Sequence, residues 1–90
     1  MPTVFIPALV RDLSRGQESL VVSGATVGQV IEALEQAFPG MRDRLCKDGA
    51  LRPGIAVVVD GQVSRLGPIQ PVKPDSEIHF LPAISGGQPG

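Results

Sequence analysis

Few of the ninety side chains could do chemistry, and none is grouped for it. Cys46 is the only cysteine and His79 the only histidine. A single thiol makes neither an intramolecular disulfide nor a C-x-x-C metal or redox pair. It reads instead as a small buried hydrophobe. His79 has no Cys, His or carboxylate cluster near it in the chain and reads as a surface residue, and Asp60 reads as a turn former. No nucleophile is paired with a base, so an enzyme reading has nothing to stand on. What remains is backbone chemistry at Gly86-Gly87, which are followed by Gln88-Pro89-Gly90. Two residues without Cβ add no side-chain bulk and adopt φ/ψ values that other residues avoid. As written, the Gly87 carbonyl is an amide; removing the last three residues makes it a carboxylate.

Such a tail needs a base. Ninety residues make one domain, and a chain this short buries roughly 60–65% of the surface it exposes when unfolded. Hydrophobic residues make up 42% of it, with Phe5, Phe38 and Phe80 as the only aromatics. Packing therefore rests on Val, Ile and Leu, which favours strands. Thr3 to Pro7 alternates as a strand does, and Glu18 to Val22 is a second candidate; Asp12, Ser14 and Gly16 suit a turn between them. Thr26 stands at an N-cap with Gln29 three residues on, the spacing of a capping box. Val27, Val30, Ile31, Leu34 and Phe38 follow at helical intervals, with Glu32, Glu35 and Gln36 on the other face. Pro39-Gly40 ends this helix. Met41 to Cys46 suits a further short turn with Met41 and Leu45 inward, and Lys47 to Gly54 reads as a loop. Ile55 to Val59 is the most strand-like run, and Asp60-Gly61 is a hairpin turn into Gln62-Val63. Gly67 to Pro74 is irregular, and Glu77 to Leu81 is the last strand.

A hairpin, a long helix and returning strands predict an α+β, β-grasp fold. A mixed four- to five-stranded sheet would pack on one main helix over residues 1–82, followed by a flexible tail, 83–90. Alternation assigns Val4, Ile6, Ile55, Val57, Val59, Ile78 and Phe80 to the helix side. Phe5, Val58, His79 and Leu81 fall on the outer side. Phe5, Val58 and Leu81, if adjacent, form a docking patch for partners; the alternative is scattered surface apolars.

Composition removes several functions. The net charge is −1 with no basic stripe, and no aromatic platform exists for stacking bases, which speaks against nucleic-acid binding. A two-iron cluster needs four ligands, and one cysteine cannot supply them. No cofactor or metal is implied. No charged n-region leads into an apolar h-region and no apolar run approaches eighteen residues. The expected location is cytoplasmic, without membrane contact.

The run Leu81-Pro82-Ala83-Ile84-Ser85-Gly86-Gly87 resembles the C-terminus of the MoaD/ThiS family of ubiquitin-like sulfur carriers, nearest in look to those serving amino-acid or siderophore sulfur supply. Ile6-Pro7 closing the first strand, Thr26-Val27-Gly28 opening the helix, the Phe38-Pro39-Gly40 stop and the Asp60-Gly61 turn fit the same layout. The resemblance implies an adenylating enzyme that joins the Gly87 carboxylate to AMP from ATP. Sulfide or a persulfide then displaces AMP and leaves a thiocarboxylate on Gly87. Gly86, Ser85 and Ile84 would be read by that enzyme as the tail. Gln88-Pro89-Gly90 departs from the pattern. It implies a precursor cut between Gly87 and Gln88 by a metal-dependent JAMM-type protease; the alternative is a cloning remnant or an incidental diglycine. A sulfur-accepting biosynthetic enzyme would be the third partner. Two related roles, molybdopterin synthase small subunit and covalent protein tag, differ only in acceptor, and the extension after Gly87 weighs against the first. A rival of another class is a non-covalent interaction module using the outer sheet face.

Overall fold

The structure, a computed structural model, describes residues 1–82. Strands β1 (Thr3–Phe5) and β2 (Ser19–Val21) pair antiparallel. The segment joining them is tighter than a loop. Pro7 leads into a 3-10 turn over Ala8–Val10 that buries Val10, and Arg15 and Gly16 reverse the chain in left-handed backbone. Ser14, also buried, spends its hydroxyl on the Gln17 carbonyl at 2.8 Å.

Helix α1 (Val27–Ala37) starts as its capping spacing requires: Thr26 Oγ1 accepts from the Gln29 amide at 3.2 Å. The reciprocal bond differs from a standard box, since Gln29 Oε1 accepts from Ala25 N–H at 2.8 Å, one residue before the cap. Val27, Val30, Ile31 and Leu34 are buried on one stripe. Phe38 leaves helical geometry and Gly40 turns with φ 99°. Glu35, expected on the solvent face, serves this break. Its carboxylate accepts from the amides of Gly40 (3.2 Å) and Arg42 (2.9 Å), opening the short helix α2 (Met41–Leu45). Those two backbone bonds hold the Glu35 carboxyl below its ordinary value, the Arg42 amide contributing most. Met41 and Leu45 are fully buried, as their spacing indicated.

Lys47 to Gly54 is not simply a loop. Cys46–Lys47 (β3) and Ala50–Leu51 (β4) form a separate small hairpin across Asp48-Gly49, both residues at positive φ. Cys46 is half-buried at its start, packed against the core and not sealed within it. Strand β5 (Ile55–Val59) turns at Asp60-Gly61 (φ 51° and 84°) into β6 (Gln62–Val63). The stretch from Gly67 to Pro74 contains a 3-10 turn, Gly67–Ile69, and a bridge between Pro71 and Thr26. It receives Val27 N–H on the Gln70 carbonyl and gives Val72 N–H to Ala25. These bonds tether the helix start to the sheet's return path.

The last strand, β7 (Glu77–Pro82), lies at the centre of a five-stranded sheet ordered β2-β1-β7-β5-β6. It runs parallel to β1 and antiparallel to β5. The helix covers one face, and Val4, Ile6, Val57, Ile78 and Phe80 meet it nearly solvent-free. Ile55 and Val59 also point that way but are only partly buried, at the edge of the core. One sheet grasping one helix, with first and last strands parallel at its centre, is the β-grasp arrangement.

The outer sheet face and the base of the tail

Register places the outer-face residues. Phe5 of β1 sits beside His79 of β7, His79 beside Val58 of β5, and Val58 beside Val63 of β6. Four side chains therefore form one row across four strands. Parallel neighbours in register bring two flat rings side by side, and the Phe5 and His79 rings stack with centroids 4.3 Å apart and planes 4° from parallel. Leu81 lies two residues beyond His79 on the same face, opposite Ala56, and is 46% exposed. Phe5, Val58 and Leu81 thus share one face, with His79 between Phe5 and Val58 in their row. Val63, 65% exposed, extends the row. It was legible in the sequence: a two-residue turn at Asp60-Gly61 sets Val59 opposite Gln62 and Val58 opposite Val63.

Beside Leu81 the face opens into a groove lined by Phe5, Pro7, Ala8, Arg11, Glu18 and Pro82, among others. Ile84, Ser85, Gly86, Gly87 and the Gly87–Gln88 bond lie outside the described residues. Pro82 is the last described residue, so the groove lies at the point from which the tail departs.

The other candidates are structural. Asp60 holds left-handed backbone in its turn, and its carboxylate accepts from Ser76 Oγ (2.8 Å) and Glu77 N–H (2.9 Å). These bonds, the Glu77 amide first, pull its carboxyl below the ordinary value. They pin the β5–β6 turn to the start of β7. Burial, with Glu32 adding to it, pushes the Cys46 thiol up, so at neutral pH it is protonated and a poor nucleophile. Among the described residues no group of three or more His, Cys, Asp or Glu side chains is placed to hold a metal ion. No described helix is long and apolar enough to cross a membrane.

Fold, element order and a central last strand leading into the tail define a ubiquitin-like β-grasp protein. A model of the ThiS family matches residues 4–87, and the chain belongs to that family. It is 32% identical over 90 residues to the sulfur carrier protein CysO of Mycobacterium tuberculosis, covering 94% of this chain and 97% of that one. It is also 32% identical over 77 residues to small archaeal modifier protein 3 of Haloferax volcanii, covering 80% and 84%. In the crystal structure of the Amycolatopsis orientalis BexX/CysO complex, one chain superposes with a TM-score of 0.88 at 34% identity, over 97% of this chain and all of that one. The protein is a sulfur carrier of the CysO/ThiS type, a protein substrate and not a catalyst.

Proposed function

We propose that the sulfur rides on the carbonyl of Gly87 and that the chain is a precursor. The observation that carries this reading is the family match, which runs to residue 87 and leaves Gln88-Pro89-Gly90 beyond it. A JAMM-type metalloprotease adds water across the Gly87–Gln88 amide, freeing the tripeptide amine and the Gly87 carboxylate. The carboxylate then attacks the α-phosphorus of ATP on an adenylating enzyme, and pyrophosphate leaves. Hydrosulfide adds to the acyl carbon, AMP departs, and a thiocarboxylate remains. A biosynthetic acceptor enzyme takes that sulfur, in supply of an amino acid, siderophore or other cofactor. Gly86, Ser85 and Ile84 form the segment these enzymes read, and ATP-dependent activation assigns the work to the cytoplasm.

Phe5, Val58 and Leu81 serve as the surface on which partners dock. Their common face beside the tail's departure point supports this, as does a structurally similar chain crystallised in a complex. Intact mass tests the chemistry. Protein ending at Gly87, incubated with its adenylating enzyme, ATP and sulfide, should gain about 16 mass units as sulfur replaces oxygen. Full-length protein should stay inert, since the Gln88 nitrogen occupies the place of a carboxylate oxygen. Replacing Gly87 by Val should block conversion without changing the fold, because a β-branched residue restricts the backbone and adds bulk. Sulfur on the full-length chain with its tail intact overturns the precursor reading. If neither form gains mass with an active enzyme, the non-covalent module takes its place.

A further inference from the structure

The row of four across the outer face is apolar at every position but one. Phe5, Val58 and Val63 share it with a single imidazole, and beyond Phe5 it ends at Ser19, exposed on the edge strand. Parallel register sets Phe5 beside His79 on one flank, and the antiparallel partner Val58 stands on the other. The rings of Phe5 and His79 stack with centroids 4.3 Å apart and planes 4° from parallel, so the imidazole plane is held by its neighbour. Its nitrogens are not held. Glu77 Oε1 lies 3.9 Å from His79 Nε2, too far for a hydrogen bond, and no described residue hydrogen-bonds either ring nitrogen. With 39% of the side chain exposed, water is free to serve them.

Covering this row removes that water. Apolar contact is non-directional, and neighbouring strands lie about 4.8 Å apart. A partner pressed on Phe5, Val58 and Val63 can therefore slip by one strand and still bury apolar area. An imidazole in a fixed place forbids the slip, because a displaced partner leaves its nitrogens dry and unpaired. Register matters to the chemistry at Gly87. Ala83 to Gly87 spans at most about 17 Å when fully extended, so an enzyme acting on that carbonyl lies against this end of the domain. Gly86 and Gly87 offer it no side chain to hold. The adenylating enzyme must keep the carrier in place while pyrophosphate leaves and sulfide enters. Its grip therefore falls on the sheet face, where Leu81 extends the apolar surface toward the tail. We propose that His79 sets the register of docking: the adenylating enzyme covers the row with an apolar surface that carries one hydrogen-bonding group opposite the imidazole. This rests on the thiocarboxylate reading above and deepens it.

The test uses the chain ending at Gly87 and its purified adenylating enzyme, with pyrophosphate release giving kcat and KM for the carrier. His79→Phe keeps a flat ring beside Phe5 and deletes both nitrogens. It should raise KM about tenfold or more, with kcat little changed and the melting midpoint of the unaltered chain. His79→Asn and His79→Gln each return a hydrogen-bonding group near the place of one ring nitrogen, and the better of the two should recover most of the loss. If His79→Phe fails to fold, His79→Leu replaces it in each comparison. An unchanged or lower KM for His79→Phe overturns the proposal and leaves the thiocarboxylate reading standing. An equal rise in all three variants overturns the hydrogen bond as the cause. Unaltered adenylation with slower delivery of sulfur to the acceptor enzyme overturns the choice of partner in favour of that acceptor. Failure of the unaltered chain to react, with an enzyme proven active on another carrier, overturns the thiocarboxylate reading and this proposal with it.

Discussion

The two faces of the central sheet are built from the same three strands and differ in what they contribute. Toward the helix, Val4, Ile78, Phe80 and Val57 are sealed from solvent within the core cluster. On the outer face the alternate residues Phe5, His79 and Val58 are only half-buried, although they lie in the same register. Period-two alternation supplies both rows, but only one has a helix over it. The inner face therefore holds the fold together. The outer face keeps apolar area at the foot of the tail, where the proposed function needs a docking surface.

The largest effect expected from breaking this contrast lies on the helix side. Leu34 is 1% exposed, and Leu34→Ala should lower stability by about 2–5 kcal/mol through the cavity it leaves. That is much of a small domain's total. Denaturant unfolding measures it, and a loss comparable to that of an exposed substitution would break the assignment of α1 to the core.

Outer-face changes should leave folding nearly intact and act on binding instead. Phe5→Ala or Leu81→Asp should weaken association with the activating enzyme or the sulfur acceptor by about 1–2 kcal/mol, the usual loss when an interface anchor is truncated. Calorimetric titration of both partners checks this. Unchanged affinity for both would reduce the row to ordinary surface and remove the contrast between the faces.

The smallest effect sharpens the comparison at the sheet's end, where two Asp-Gly turns can be set side by side. Asp48 and Asp60 both hold positive φ. Replacing either by Ala places a side chain in left-handed backbone at similar cost. Only Asp60 is bonded to Ser76 and Glu77, so Asp60→Ala should lower the melting midpoint further than Asp48→Ala. The difference should also depend on pH. The Asp60 carboxyl is held below its ordinary 3.8, so the folded state releases this proton more readily than the unfolded one. The contribution is full above the ordinary value and fades as pH falls through the lower folded one. Melting curves from neutral to strongly acid pH should show the two variants converging. A gap that persists in strong acid would mean that the tether does not act through its charge.

Much of this was legible because it depends on local chemistry. Thr26, Gln29 and the Val27–Phe38 spacing contain the helix and its cap; alternation in Ile55–Val59 and Glu77–Leu81 sorts the faces; Asp60-Gly61 sets a hairpin and, through its register, Val63. The diglycine, the tripeptide after it and the family likeness are properties of the chain order itself. The Asp48-Gly49 hairpin carried the same dipeptide signal, obscured because its strands are only two residues long.

What the sequence could not show depends on groups far apart in the chain. That Glu35 caps the next helix follows from how sharply Pro39-Gly40 folds the chain back. The Asp60–Ser76 bond, the stacking of Phe5 on His79, and the meeting of Pro7, Arg11 and Phe80 at one groove join residues up to 74 positions apart. Propensity and periodicity describe neighbours along the chain. Which strand lies beside which is decided only when the first and last strands pair in parallel at the centre of the sheet.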